Sequence, residues 1–275
     1  TYQLYKKSPA ELLVELALEI EKQLGITISI GLSENKFLAK LASSFEKPRG
    51  FTVIGKSEKL EFIKNLHVKN IPGIGPSLKK KLEKNSIMTI DDLRKLDKNV
   101  LAKSFGNFGK TIWNMSRGID ERNINPASSR KSVSKETSFE HDISDFNKLK
   151  KILWLLTEEV SEMLKKNNFY SKSITLKLKR NNFKIITCSF TFLEPTCLAE
   201  NIYQTAVLLL KNKIEMGPFR LIGLSTSKFL AEKQQSFKNF KLDSKSQKIE
   251  KTEYVIDKIR LKFGKEIIKK GRSLN

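Results

Sequence analysis

His67-Val-Lys-Asn-Ile-Pro-Gly-Ile-Gly-Pro-Ser-Leu-Lys-Lys-Lys-Leu-Glu-Lys84 is the stretch from which the rest of the chain can be read. Pro72 ends whatever precedes it, and Gly73 and Gly75 allow a tight turn with positive φ or a close backbone approach. Pro76 suits the first turn of a helix, with Leu78 and Leu82 on one face. The spacing predicts a Gly-hydrophobic-Gly turn feeding a helix N-terminus, where free N–H groups and the positive dipole end point the same way. Such an end holds an anion. Lys79, Lys80, Lys81 and Lys84 crowd it, so a nucleic-acid phosphate is the expected anion. The competing reading is an ordinary helix-turn-helix connection, against which the lysines weigh.

Working outward, the motif is the helix-hairpin-helix pattern, which grips a nucleic-acid backbone without reading bases. The whole chain carries charge to match: Lys+Arg 52 against Asp+Glu 30, net +22 at pH 7. An excess that large implies a polyanionic partner or, less often, an anionic membrane surface. No apolar run approaches the ~20 residues that span a bilayer, and no signal peptide is read. Two cysteines, Cys188 and Cys197, make no disulfide framework, and two histidines assemble no zinc-like cluster. A reduced, soluble, cytoplasmic monomer is expected. At 275 residues the length suggests roughly two or three domains. The chain opens Thr1-Tyr-Gln without Met, read here as the loss of an upstream piece.

Before the hairpin, Leu12, Leu13, Leu16, Ala17, Ile20 and Leu24 recur at helical spacing behind Ser8 and Pro9. A strand over 26–31, a helix over 33–45 and a strand over 51–54 follow, too little sheet for an α/β domain to stand alone. Residues 57–124 read as nearly all helix, with a second glycine turn, Phe105-Gly-Asn-Phe-Gly-Lys110, as a degenerate partner of the first. Asn123 to Ser129 has linker composition. From 131 to 229 the order is βαββαβ, predicting a four-stranded antiparallel sheet with two helices on one face. Ile174, Leu176 and Leu178 alternate with Ser173, Thr175, Lys177 and Lys179, so the other face is polar and basic. Asn181-Asn182 is read as the hairpin turn. Residues 232–251 read as a largely unfolded linker before a short amphipathic helix carrying Tyr254, Ile256, Ile259, Leu261 and Phe263.

That order has a counterpart. Ser29-Ile-Gly-Leu-Ser-Glu-Asn-Lys-Phe-Leu-Ala-Lys-Leu-Ala-Ser-Ser-Phe-Glu-Lys-Pro-Arg-Gly50 resembles the end of the palm in Y-family, translesion DNA polymerases, and Asn70 to Gly75 resembles their thumb hairpin. Phe105-Gly-Asn-Phe-Gly109, Gly118-Ile-Asp-Glu-Arg122 and Arg130-Lys-Ser132 resemble the bacterial DNA polymerase IV branch. The resemblance implies an α+β multidomain chain: the C-terminal part of the palm (1–55), the thumb (56–124), a linker (125–130), the little finger (131–230) and a basic tail (231–275). It also implies template-directed, error-prone synthesis past damage, with primer-template DNA and deoxynucleoside triphosphate as partners.

Family members bind two Mg²⁺ ions through three carboxylates, because the ions must clamp attacking and leaving oxygens. No Asp-x-Asp or Asp-Glu pair stands at a strand end in residues 1–60, and Glu11, Glu15, Glu19 and Glu21 read as the solvated face of a helix. No catalytic or metal-ligating residue is therefore assigned, and this chain alone is expected not to polymerise. Lys47 matches the family's triphosphate-contacting lysine, with Lys40 a second candidate. Gly73, Ile74 and Gly75, through their amides, and Lys79 are the expected primer-backbone contacts. Arg130, Lys131, Ser132, Ser134, Lys177, Lys179 and Arg220 are expected to meet phosphates from the little finger. Gln234, Phe237 and Phe240 lie where relatives carry a peptide that docks on the sliding clamp; the usual Leu-Phe ending is missing, and a solvated linker explains them equally. Two alternatives stand beside this reading: a non-catalytic relative acting as a DNA- and clamp-binding scaffold, and a hairpin module from a repair nuclease.

Overall fold

The computed structural model describes residues 5–126, 129–231 and 244–273. They form two compact units, Thr1–Ala127 and Ser128–Asn275.

In the first unit, helix α1 (Pro9–Leu24) starts at a capping box: the Ser8 hydroxyl accepts from Glu11 N, and Glu11 accepts from Ser8 N at 2.7 Å. Gly25, at φ 68°, ends it. Strands β1 (Ile30–Ser33) and β2 (Phe51–Ile54) pair in parallel, Ile30 opposite Phe51. Helix α2 (Lys36–Ala42) lies so close to β1 that a Cβ on Gly31 would meet Ala39 O at 2.1 Å. The first strand thus begins four residues later and ends two later than its β-branched composition suggests. Ser33 stays in the sheet opposite Ile54, and Asn35, whose side chain accepts from Leu38 N, sets where α2 begins.

Four further helices follow: α3 (Lys59–Lys64), α4 (Pro76–Lys84), α5 (Ile90–Arg94) and α6 (Lys98–Met115), the last broken at Gly106. One continuous core joins the α2–β2 layer to these helices through Phe37, Leu38, Ile54, Ile63, Leu82 and Ile112. Each such side chain contributes about 1.5–3 kcal/mol. Helix α1 adds no fully buried residue, and Leu18 is 55% exposed.

The second unit has the expected βαββαβ order: β3 (Ser132–Ile143), α7 (Phe146–Lys166), β4 (Phe169–Arg180), β5 (Ile185–Thr196), α8 (Ala199–Lys211) and β6 (Phe219–Ala231). The sheet order is β3-β6-β4-β5, antiparallel throughout. Ile174, Leu176, Leu178, Ile222 and Leu224 face Leu149, Leu153, Trp154 and Ile202 of the helices, all essentially buried. Strand alternation thus builds the core on one side.

Two expectations are corrected here. The hairpin between β4 and β5 is not a two-residue Asn-Asn turn: Arg180 N bonds Lys184 O at 3.0 Å, and Phe183 takes the left-handed position at φ 64°. The polar tail is helical from Ser244, within the stretch read as unfolded: α9 spans Ser244–Phe263. Of the apolar residues expected to attach it, only Ile256 and Ile259 are even half-buried, and the most buried side chain is a carboxylate. Glu253 is 4% exposed, whereas Tyr254, Leu261 and Phe263 point to water. Among the described residues no helix is long and apolar enough to cross a membrane.

Candidate nucleic-acid interface

The hairpin forms as its glycines suggest, but the two do different jobs. Ile74 N bonds Ile71 O at 3.1 Å and the Ile74 side chain is 8% exposed, so this residue plugs the core. The turn this creates holds Gly73 at φ 96°, where a Cβ would lie 2.8 Å from Phe108 Cζ. Gly75, the N-cap of α4, sits at φ −83°, ψ 178°, with nothing within 4 Å of a Cβ. Nothing inside the protein requires glycine there. Gly75 provides no capping side chain, and the Ser77 and Leu78 amides in the first turn have no intrahelical acceptor. The expected Ile74 amide donor is thus already used; the open donors of this motif lie from Gly75 into α4.

The lysines around the turn also divide. Lys80 and Lys84 are exposed. Lys79 lies 3.4 Å from Glu83. Lys81 donates to Ser104 O at 2.6 Å and covers the Phe105 ring at 4.7 Å, tying α4 to the second glycine turn. In that turn Gly106 has φ 62° with open space around it, while a Cβ on Gly109 would strike Leu101 O at 2.0 Å. Arg117 is structural rather than ligand-facing. It stacks on Trp113 at 3.8 Å and donates to Arg94 O at 2.7 Å, and burial pushes its pKa down.

Lys40 and Lys47 are exposed, on α2 and in the turn leading to β2. Beside Lys47, Arg49 pairs with Glu21 at 3.0 Å, and Gly50 N donates to Ser29 Oγ at 3.2 Å. The opposite end of α2 is braced by Asp120, which accepts from Phe37 N at 3.0 Å. The Arg122 guanidinium lowers the Asp120 pKa, against opposing burial. A carboxyl held below its unfolded value near 3.9 stabilises the fold above that pH and loses the contribution as pH falls through its folded value. Asp120→Asn is expected to flatten acid unfolding of this unit below about pH 4; an unchanged acid titration of the circular-dichroism signal would contradict this.

In the second unit the register places Ser132, Ser134, Glu136 and Ser138 of β3 opposite Ser227, Ser225, Gly223 and Leu221 of β6 on the face away from the helices, with Leu221 itself buried. Ser173, Thr175, Lys177 and Lys179 of β4 and Thr191, Ser189, Thr187 and Ile185 of β5 complete it. Most of this face is short hydroxyl side chains, a flat polar surface that fits close to a phosphate backbone. Of these hydroxyl residues, the sequence reading named only Ser132 and Ser134 as phosphate contacts. The signal was the period-two Ser/Thr pattern itself. Lys177 is less available than expected, since it crosses Gly223 to pair with Glu136 at 2.8 Å. Arg130 and Lys131 are exposed just before β3, and Lys179 and Arg220 both reach Phe183. Gln234, Phe237 and Phe240 lie outside the described residues.

Three family models match. Residues 2–44 match the impB/mucB/samB family, 69–120 the DNA polymerase-iota thumb domain, and 130–239 the impB/mucB/samB family C-terminal domain. DNA polymerase IV 1 of Mesorhizobium japonicum is 38% identical over 98% of this chain and 62% of its own length. DNA polymerase IV of Caulobacter vibrioides is 35% identical over 100% of the chain and 68% of its own. Among solved structures, the Y-family DNA polymerase chimera Dbh-Dpo4(243-245)-Dbh shares the fold at TM-score 0.65 and 24% identity, covering 81% of this chain and 64% of that one. The chain belongs to the DNA polymerase IV group of the Y-family. It spans about three fifths of the Mesorhizobium relative's length.

The carboxylates of the described residues do not fit a two-cation centre. Among the described residues no group of three or more His, Cys, Asp or Glu is placed to share a metal ion. Three of these carboxylates are engaged elsewhere: Glu34 with Lys59 at 2.5 Å, Glu21 with Arg49 at 3.0 Å, and Glu11 in the α1 cap.

Proposed function

We propose that this chain is the primer-template-holding portion of a DNA polymerase IV-like enzyme that synthesises DNA, error-prone, across damaged template. That complete enzyme would be cytoplasmic and monomeric, and its Mg²⁺ ions would be held by carboxylates outside this chain. This chain's own residues bind and position. The observation that carries the reading is Gly75, a glycine with ordinary φ and open surroundings at a helix N-terminus. Its missing side chain leaves room for a phosphate against the α4 amides. Lys79, Lys80 and Lys84 add point charges, while Lys47 and Lys40 serve the triphosphate of the incoming nucleotide. Arg130, Lys131, Lys179, Arg220 and the hydroxyl face of the sheet hold the duplex backbone without reading sequence. Clamp docking through 234–240 belongs to the same reading.

The test is primer-template binding over a salt series together with primer extension in Mg²⁺ and four nucleotides. If five or six phosphates are neutralised, log affinity is expected to fall with log salt at a slope of roughly −4 to −6, without extension. Salt-independent or absent binding would refute the DNA-holding role; extension by this chain alone would refute the absence of a catalytic centre.

A further inference from the structure

We infer that Phe183, at the tip of the β4–β5 hairpin, is a stacking platform for an unpaired nucleobase. This deepens the proposed DNA-holding role and rests on it.

The backbone makes the first case. Phe183 N bonds Arg180 O and Arg180 N bonds Lys184 O, both at 3.0 Å, so the turn closes around residues 181–183. Phe183 stands at φ 64°, a conformation that disfavours any residue with a Cβ and that Gly or Asn adopts far more readily. Core packing does not compensate, because Phe183 is 60% exposed. A bulky aromatic held in an unfavourable conformation and presented to water points to a task outside the fold.

The surroundings say which task. The Arg220 guanidinium lies 4.1 Å and the Lys179 ammonium 4.9 Å from the ring centroid. Arg180, in the same turn, has a buried Nε without a partner. Ile185, the next residue on the open face, is also exposed. An exposed ring flanked by cations at the end of a hydroxyl-rich sheet combines a π-face with phosphate-binding charge. That is the pairing by which single-stranded nucleic acid is held without sequence preference. Within a duplex the base faces are already stacked, so the occupant is the unpaired template ahead of the primer end.

The competing account is that the ring only shields two cations. Phe183→Gly separates them, since glycine is at ease at this φ and the exposed ring contributes little to the core, so the fold is expected to survive. Two DNAs would be compared: a blunt duplex, and the same duplex with an unpaired extension containing 2-aminopurine. The glycine variant is expected to bind the extended DNA about tenfold more weakly, to bind the blunt duplex within about twofold of the original, and to lose quenching of 2-aminopurine. Phe183→Trp should retain both binding and quenching. Unchanged affinity and quenching in the glycine variant would overturn the platform. If that variant unfolds, Phe183→Leu, which keeps apolar bulk without a π-face, decides on the same readouts. Should the original protein bind neither DNA, the DNA-holding role itself fails, a separate outcome.

Discussion

Replacing Glu253 with alanine is expected to lower the unfolding midpoint of the Ser128–Asn275 unit by roughly 5–10 °C and to free α9 from it. Helix α8 has no capping side chain of its own, because its N-cap is Leu198. Glu253 supplies the cap from another helix, accepting from Ala199 N at 3.0 Å and Glu200 N at 2.9 Å. It also holds the Lys165 ammonium at 2.8 Å. Burial lowers the Lys165 pKa, but Glu253 and Asp257 more than offset this and leave it raised. Truncation would strand two helix-terminal amides and remove half of a largely buried ion pair. Asp257, 2.7 Å from Lys165, would keep part of the charge balance, so the loss should be about 2–3 kcal/mol rather than the upper range for such pairs. Amide exchange within 244–263 should accelerate, because α9 is anchored chiefly by Glu253, Asp257 and Arg260, the last 3.0 Å from Glu158. A midpoint within 1–2 °C of the original, with exchange in α9 unchanged, would show that the cap is dispensable.

The same carboxylate explains what the sequence could and could not disclose. The four-stranded sheet was legible because Ile174, Leu176 and Leu178 alternate with polar residues, and strict alternation has one structural meaning beside a helix face. The first glycine turn was legible because Pro72, Gly73 and Pro76 leave the backbone few choices. Helix α9 was not, because it docks through charged groups whose partners, Lys165, Glu158 and the α8 amides, lie far away in sequence. A Lys-, Ser- and Gln-rich stretch with scattered apolar residues then resembles unfolded chain. The candidate site was half legible for a similar reason. Charge identified lysines, but not that Lys177 is paired with Glu136 or that Lys81 braces two turns. Nor could charge predict an aromatic in the left-handed position of the β4–β5 turn, where Asn181 and Asn182 stood close by as the conventional choice.

Two glycines of the hairpin pair should answer to alanine in opposite ways. At Gly109 a Cβ would sit 2.0 Å from Leu101 O, 2.4 Å from Leu101 C and 2.8 Å from Ala102 N. These are backbone atoms, so no side chain can swing aside, and the two segments of α6 on either side of Gly106 must separate. Gly109→Ala is expected to cost about 3 kcal/mol or more, and DNA binding should fall with the fold. At Gly75 the added methyl meets nothing within 4 Å, and φ −83° suits alanine. The only internal penalty is alanine's poorer performance at an N-cap, about 0.5–1 kcal/mol. The methyl would instead project where a phosphate approaches the α4 amides, and affinity for primer-template DNA should drop about tenfold, ~1.4 kcal/mol. Denaturant unfolding and DNA-binding anisotropy on both variants resolve the pair. A stable Gly109→Ala protein would refute the close helix crossing. A Gly75→Ala protein that binds DNA like the original would refute the turn as the phosphate site, because the fold itself gives that glycine no other reason to be there.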